Sequence, residues 1–339
     1  MRTLIWGAGA IGGTIGAYAH AAGHTVTLVD TATDHVDAIR HDGLSIEGPV
    51  DTFDVRLPAF TPDELTGTYD AILLCTKAQH TSDALDALEP FLHEHGYVAS
   101  FQNGLNEWTI EKRVGRERTV GAFVNFGADY LEPGRIHFGG RGTVAIGELD
   151  GRTTDRLIAL HALVRTFDPD TRITDNVWGY LWGKMGYGAM LFASALTNES
   201  IADVLEARDV RPLLDALADE VLRVAHHEGV IPLGFNGFDP VAFGPAGTTS
   251  SRAASYDAMV RHNRGSAKTH SGVWRDLAVR KRRTEIDAQF GPIVARANAA
   301  GLPTPTLERL VALIHDVEEG RRPQAWDTLR ALTDAAELA

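Results

Sequence analysis

Residues 3–6 form an unbroken apolar run, and residues 11–22 continue as a small-residue helix that Gly23 and His24 break. Residues 25–29 then alternate apolar and polar, the period of a strand with one covered face. The alternation of strand-like and helix-like segments persists to about residue 150, with strands over 69–76, 97–101, 118–126 and 142–147 and a helix over 82–93. Turn signals stand at Glu132-Pro133-Gly134 and Asp150-Gly151. Thr153-Thr154-Asp155 opens a helix that runs to Val164, and residues 172–174 read as a last strand. Such alternation predicts an α/β domain with a doubly wound parallel sheet. From Val177 the spacing turns to long helical patterns over 177–197, 200–207, 211–228, 254–261, 270–299 and 306–319. The expectation is therefore an α/β domain over 1–174 and an all-helical domain over 175–339. Residues 232–251, rich in Gly, Pro and Phe and without a clear period, read as a long loop, either a lid or an inert surface connection.

Composition narrows the function classes. At 339 residues the chain exceeds the size, about 250–300 residues, at which single cores stop growing. A net charge of −13 speaks against nucleic acid or an anionic membrane surface as main partner. Cys75 is the one cysteine, so no intrachain disulfide forms, and its apolar surroundings mark it as a buried strand residue. The charge-free apolar stretch 185–197 is shorter than the roughly 18 residues of a membrane span. A soluble, cytoplasmic protein is the simple expectation.

The first α/β unit carries the clearest chemistry. Gly7-Ala8-Gly9-Ala10-Ile11-Gly12 is a GxGxxG run set between the first strand and the first helix. Gly7 permits the tight turn, Gly9 lets backbone approach a pyrophosphate, and Gly12 lets the helix pack closely on the strand. The following helix offers backbone N–H groups and a positive dipole end to phosphates, with Ala10 and Ile11 in its first turn. Asp30 closes the second strand, 18 residues after Gly12, where an acid binds ribose hydroxyls. A carboxylate there repels the 2′-phosphate of NADP, and Thr31-Ala32-Thr33-Asp34-His35 supplies no Arg or Lys, so NAD is favoured over NADP. The plainer reading is that Asp30 only caps its turn.

Further candidates follow strand ends. Lys77 and Asn103, in Cys75-Thr76-Lys77 and Gln102-Asn103-Gly104, sit where open α/β sheets bind ligands, although each also suits an ordinary loop. Lys184 is a single charge in a long apolar helical stretch. Burial would move such an ammonium toward the working range of a general acid or base, whereas a snorkelling stem would leave it ordinary. Within 270–287, Asp276–Arg280 and Lys281–Glu285 have the spacing of ion pairs on a solvated helix face. Glu285 is alternatively an anchor for a substrate hydroxyl, Arg275 with Arg282 a carboxylate clamp, and His270 a proton relay. His226-His227 lacks metal-ligand spacing, and no metal site is expected.

Taken in order, the glycine run, Thr76-Lys77, Gln102-Asn103-Gly104, Trp182-Gly183-Lys184 and Thr284-Glu285-Ile286-Asp287 resemble the ketopantoate reductase family over nearly the whole chain. The resemblance implies a Rossmann domain, a helical domain and an active site in the cleft between them. It further implies that Lys184 protonates the alkoxide as hydride reaches a 2-oxo carbon, with Asn103 positioning the reacting groups. Lys77 would assist near nicotinamide or substrate, and Glu285 would bind polar substrate groups.

Three departures bear on the substrate. Family members that reduce ketopantoate carry Asn four and eight residues after the lysine, where this chain has Gly188 and Phe192. The lysine also lies about two residues farther from Ala195-Leu196-Thr197, with Ser194 as a displaced polar candidate. The family's serine pair reads Ser271-Gly272, preceded by His270, and Asp30 replaces a basic residue. The leading expectation is an NAD-linked reductase of a 2-oxo acid, or the reverse dehydrogenase, acting on a substrate larger or less polar than ketopantoate. A 3-hydroxy acid or polyol dehydrogenase, and a non-catalytic dinucleotide sensor, are the alternatives. A homodimer is compatible with the aromatic-rich helical half.

Overall fold

The computed structural model describes residues 1–266 and 268–333; residue 267 and residues 334–339, which fall within the expected helical domain, lie outside the described residues. The chain divides into two compact units, Met1–Val177 and the residues from Trp178 onward.

The first unit holds twelve strands: β1 (Thr3–Trp6), β2 (Val26–Val29), β3 (Leu44–Glu47), β4 (Phe53–Val55), β5 (Ala59–Phe60), β6 (Tyr69–Leu74), β7 (Leu92–Ser100), β8 (Thr119–Val124), β9 (Gly127–Glu132), β10 (Arg135–Gly140), β11 (Val144–Glu148) and β12 (Arg172–Ile173). Its main helices are α1 (Ala10–Ala21), α2 (Thr33–His41), α3 (Thr81–Leu88), α4 (Glu107–Val114) and α5 (Asp155–Val164). Eight strands pair in the order β12-β11-β8-β7-β6-β1-β2-β5. All of these pairs are parallel except β8 with β11, so the sheet is mixed rather than wholly parallel. Strand order reverses between β1 and β6, and the loops leaving their carboxyl ends meet there. Gly7 lies so close to the second loop that a Cβ on it would stand 2.9 Å from the Thr76 amide nitrogen.

A second sheet, in the order β4-β3-β10-β9, has no counterpart in the sequence pattern. It backs α1: a Cβ on Gly13 would lie 2.3 Å from Ile136 Cδ1, and Tyr18 packs edge-on against Phe53 and Phe138. The helix expected over 82–93 stops at Leu88, because Pro90 has no N–H to continue it and Leu92 already belongs to β7.

The second unit is helical: α6 (Val177–Ser194), α7 (Ile201–Glu206), α8 (Arg211–His227), α9 (Pro240–Phe243), α10 (Thr249–Arg264), α11 (Gly272–Trp274), α12 (Ile286–Ala299), α13 (Pro305–Glu318) and α14 (Trp326–Arg330). Its core includes Trp182, Phe243, Phe290 and Leu310, all at or below 1 % exposure. Glu220 is buried on α8, where its carboxylate accepts from the Thr306 and Leu307 amides and so satisfies the start of α13. Burial pushes its pKa up from the ordinary carboxylate range, while those two N–H donors oppose the shift.

Two expectations here need correction. Residues 232–251 are neither lid nor inert connection over their first half. The Leu233 amide donates to the Gly179 carbonyl at 2.8 Å, and Phe238 is buried between Tyr187 and Phe243. The single helix over 270–299 is broken. After α11 a wide turn closes with Arg280 N donating to Arg275 O, Lys281 adopts φ +50, and helix resumes only at Ile286. No helix among the described residues is long and apolar enough to cross a membrane.

Candidate active site

The glycine run occupies the switch point of the large sheet. Gly7 has φ +99, a conformation that other residues rarely adopt. A Cβ on Gly12 would stand 2.1 Å from the Gly7 carbonyl oxygen and 2.7 Å from Ile5 Cγ2, so only glycine lets α1 sit this close to β1. A Cβ on Gly9, by contrast, would meet nothing within 4 Å, and no side chain caps α1 there. An open glycine beside an uncapped helix N-terminus fits a dinucleotide's pyrophosphate, with Ala10, Ile11 and Gly12 supplying the first-turn amides.

Asp30 follows β2 and is half-buried. One carboxylate oxygen accepts from the Ala8 amide at 2.8 Å, and the other from the Ala32 amide at 3.0 Å. Asp30 therefore caps its turn and also fixes the glycine loop. Each oxygen retains a second lone pair for a ribose hydroxyl. Arg40, the one arginine of α2, is engaged by Glu64 and by the Ala59 carbonyl. Cys75 directly follows β6 and is half-buried rather than the buried strand residue expected, and desolvation pushes its thiol pKa up.

Lys77 and Asn103 are mounted on loops that a buried polar network ties together. Lys77 is half-buried and leads the turn Ala78–His80. Gln102, only 3 % exposed, donates from Nε2 to the Thr76 carbonyl at 3.0 Å and to Thr81 Oγ1 at 2.9 Å. Thr81 Oγ1 stands 3.0 Å from Asn106 Oδ1, and Asn106 Nδ2 donates to the Asn103 carbonyl at 2.7 Å. The exposed Asn103 side chain is thereby held on a fixed backbone, followed by Gly104 at φ +98. Sequence reasoning reaches Gln102 but misses the buried role of Thr81 and Asn106. Thr81→Val should cost about 1–2 kcal/mol, because it keeps the shape and removes one buried hydrogen-bond partner from each of the Gln102 and Asn106 amides. Urea unfolding would check this, and a change under about 0.3 kcal/mol would mean the network carries little.

In the second unit, Lys184 is half-buried on α6 while Leu181, Trp182 and Met185 around it are at most 1 % exposed. Phe290 of α12 reaches α6 one turn beyond the lysine. Its ring meets Phe192 edge-on at 5.3 Å, and a Cβ on Gly188 would find only Phe290 Cζ, at 3.9 Å. Phe192 is itself 3 % exposed, so it belongs to the core and adds no apolar lining. Glu285 stands half-buried at the position preceding α12.

Other sequence candidates have structural employment. Ser194 Oγ donates to the Leu191 carbonyl at 2.8 Å within α6, and the side chain is buried. Ser271 Oγ accepts from the Trp274 amide at 3.1 Å as the cap of α11. His270 Nδ1 meets Thr269 Oγ1 and Nε2 meets the Asn198 carbonyl, with the ring 4.1 Å from that of Trp274. Arg275 is half-buried, but its clamp with Arg282 does not form. Arg282 leaves the helix and bonds Asp276 at 2.9 Å. Arg280 also bonds Asp276, which is only 4 % exposed, so this pair is no solvated helix face. Residues 281–285 are not helical, so Lys281 and Glu285 share no helix face. Among the described residues, no group of three or more His, Cys, Asp or Glu side chains is placed to hold a metal.

Comparison with known proteins gives this arrangement a family. Residues 3–151 match the model of the ketopantoate reductase PanE/ApbA family, and residues 176–318 match that of its C-terminal domain. The chain belongs to the ketopantoate reductase family, the oxidoreductases that act on a keto or hydroxyl carbon with a nicotinamide dinucleotide. It is 26 % identical to a 2-dehydropantoate 2-reductase of Mesorhizobium japonicum, over 93 % of this chain and 97 % of that one. A PanE/ApbA family ketopantoate reductase from Ralstonia eutropha is 27 % identical, with a TM-score of 0.79 over 95 % of this chain and 99 % of its own. D-mandelate dehydrogenase, solved with NADH and anilino(oxo)acetate, shares the fold at TM-score 0.80 and 23 % identity, covering 94 % of this chain and 99 % of its own.

Proposed function

We propose that this protein is an NAD-preferring 2-oxo acid reductase, or the reverse 2-hydroxy acid dehydrogenase, with Lys184 as its general acid or base. The observation that carries the reading is Lys184 itself, a half-buried cation on an otherwise apolar stretch of α6. When bound, a nicotinamide dinucleotide supplies or accepts the hydride. The Lys184 ammonium donates its proton to the substrate oxygen as negative charge develops there, and recovers it in the reverse direction. Asn103 orients the reacting groups by hydrogen bonds, Lys77 attracts the acid's negative charge, and Glu285 accepts from a polar substrate group.

Asp30 supports the preference for NAD. Its carboxylate is fixed beside the glycine loop, Asp34 follows in the first turn of α2, and Arg40 is committed to Glu64. A 2′-phosphate would meet negative charge there without a cation to answer it. Gly188 supports an acid other than ketopantoate, since it offers room and no amide one turn after Lys184.

The test is initial rates of NADH and NADPH oxidation with ketopantoate and a panel of bulkier 2-oxo acids. NADH is expected to outperform NADPH at least tenfold in kcat/KM, with a bulkier acid preferred over ketopantoate. Fast NADPH turnover of ketopantoate would overturn both finer assignments. Binding of NADH with no acid reduced would point to a sensor, and a 3-oxo product from a hydroxy acid to the alternative dehydrogenase.

A further inference from the structure

His35 lies in the first turn of α2, is 1 % exposed, and has a partner on each ring nitrogen. Nδ1 lies 2.9 Å from the Gly134 amide nitrogen, which can only donate, so Nδ1 is the acceptor. The ring proton of neutral His35 therefore sits on Nε2, which donates to the Ala8 carbonyl at 2.9 Å. Ala8 is the residue between the two glycines of the loop, and its amide is the one that Asp30 holds at 2.8 Å. Both backbone polar groups of Ala8 are thus bound by side chains that follow β2.

The far side of the histidine is equally fixed. Gly134 forms the tip between β9 and β10 at φ +75, a Cβ there would press on Ala38 at 3.1 Å, and its carbonyl accepts from Ser45 N. Tyr130 of β9 packs edge-on against the imidazole at 5.1 Å. His35 consequently joins a hairpin of the second sheet to the glycine loop, at the residue before the open Gly9.

We propose that His35 is a positioning residue for the dinucleotide, acting through the Ala8 carbonyl in its Nε2–H form and coupling cofactor affinity to the β9–β10 hairpin. This rests on the dinucleotide-binding reading of the loop. A side chain that only filled space would leave Ala8 free to rotate its peptide, and the loop amides would no longer converge on a pyrophosphate.

The test compares His35→Phe and His35→Gln in the full-length protein. Phe keeps ring volume and removes both hydrogen bonds. Gln offers Nε2–H to Ala8 and Oε1 to Gly134, with a donor–acceptor spacing like that of imidazole. NADH and NADPH titrations should show a Kd for the preferred dinucleotide raised about tenfold in the Phe variant, the scale of one lost hydrogen bond. Gln should recover it to within about threefold, and the rise in dinucleotide KM should exceed any fall in kcat. Should the Phe variant not fold, nitrogen NMR of the unsubstituted protein still decides. An Nδ1–H tautomer, or a folded Gln variant that binds ten times more weakly, overturns the proposal. An unchanged Kd in a folded Phe variant does the same. Unsubstituted protein that binds neither dinucleotide overturns the underlying reading, and the proposal with it.

Discussion

Lys184→Ala is expected to lower kcat by about 10²–10⁴-fold, the usual contribution of one positioned general acid. Dinucleotide affinity should stay within about threefold, because the glycine loop and Asp30 belong to the other compact unit. Packing alone does not call for a lysine here. Leu181, Trp182 and Met185 are buried around it, so an apolar residue at 184 would suit the local pattern at least as well. A half-buried ammonium at this position is what the proposed general acid requires, and the substitution tests it. Lys184→Arg separates charge from proton transfer. The guanidinium keeps the cation, and its pKa above about 12 prevents it from cycling a proton near neutrality. Arginine should therefore restore substrate binding and leave kcat at least tenfold down. Single-turnover hydride transfer, followed at saturating dinucleotide and 2-oxo acid, is the measurement. A kcat within threefold of the unsubstituted protein would remove Lys184 from the mechanism.

What could be read from the chain was whatever is encoded locally. Gly7, Gly9, Gly12 and Asp30 lie within one strand–helix–strand unit, and each has a backbone or ligand requirement that its own sequence context announces. The large sheet was legible for the same reason: β1 and β8 are buried along their whole length and β6 everywhere except at Asp70, so they read as mostly apolar runs, as strands covered on both faces do. The second sheet was not. β4 alternates but is only three residues long and partly covered, while β9 runs from half-buried to exposed without alternation. Those strands exist because β3 and β10 pair across ninety residues, as in Arg135 with Ser45, which no local window contains.

The candidate site divides in the same way. Lys77 and Asn103 each stand three residues beyond a strand, Lys77 in a loop rather than at the strand end expected, and the Gln102–Thr81–Asn106 network behind them is a product of two loops meeting. The helix predicted over 270–299 fails at Asp276. Its buried carboxylate gathers Arg280 and Arg282, and its carbonyl accepts from Arg282 N, which turns the chain back on itself. A run of Arg and Lys reads locally as good helix, and a single buried acid overrides that preference. Propensity is a weak prior wherever tertiary contacts compete with it.

The same competition makes a second large effect predictable, at the neighbour of the catalytic candidate. Gly183→Ala should destabilise the protein by about 3 kcal/mol, the upper end for overpacking in a well-filled core. Helix propensity argues the other way, since alanine in a helix interior is favoured over glycine by roughly 1 kcal/mol. Geometry decides between them. A Cβ at 183 would stand 1.9 Å from the Leu233 carbonyl oxygen and 3.0 Å from its carbonyl carbon. Both are backbone atoms, and the Leu233 amide is anchored one turn earlier to Gly179. Neither side can yield without breaking that anchor. Gly188 supplies the control within the same helix, because a Cβ there meets nothing nearer than 3.9 Å. Gly188→Ala should therefore follow propensity and stabilise by about 0.5–1 kcal/mol. Denaturant unfolding of the two variants would show opposite signs. If both stabilise, Leu233 is not seated in the glycine groove of α6, and residues 232–251 regain the freedom of a surface loop.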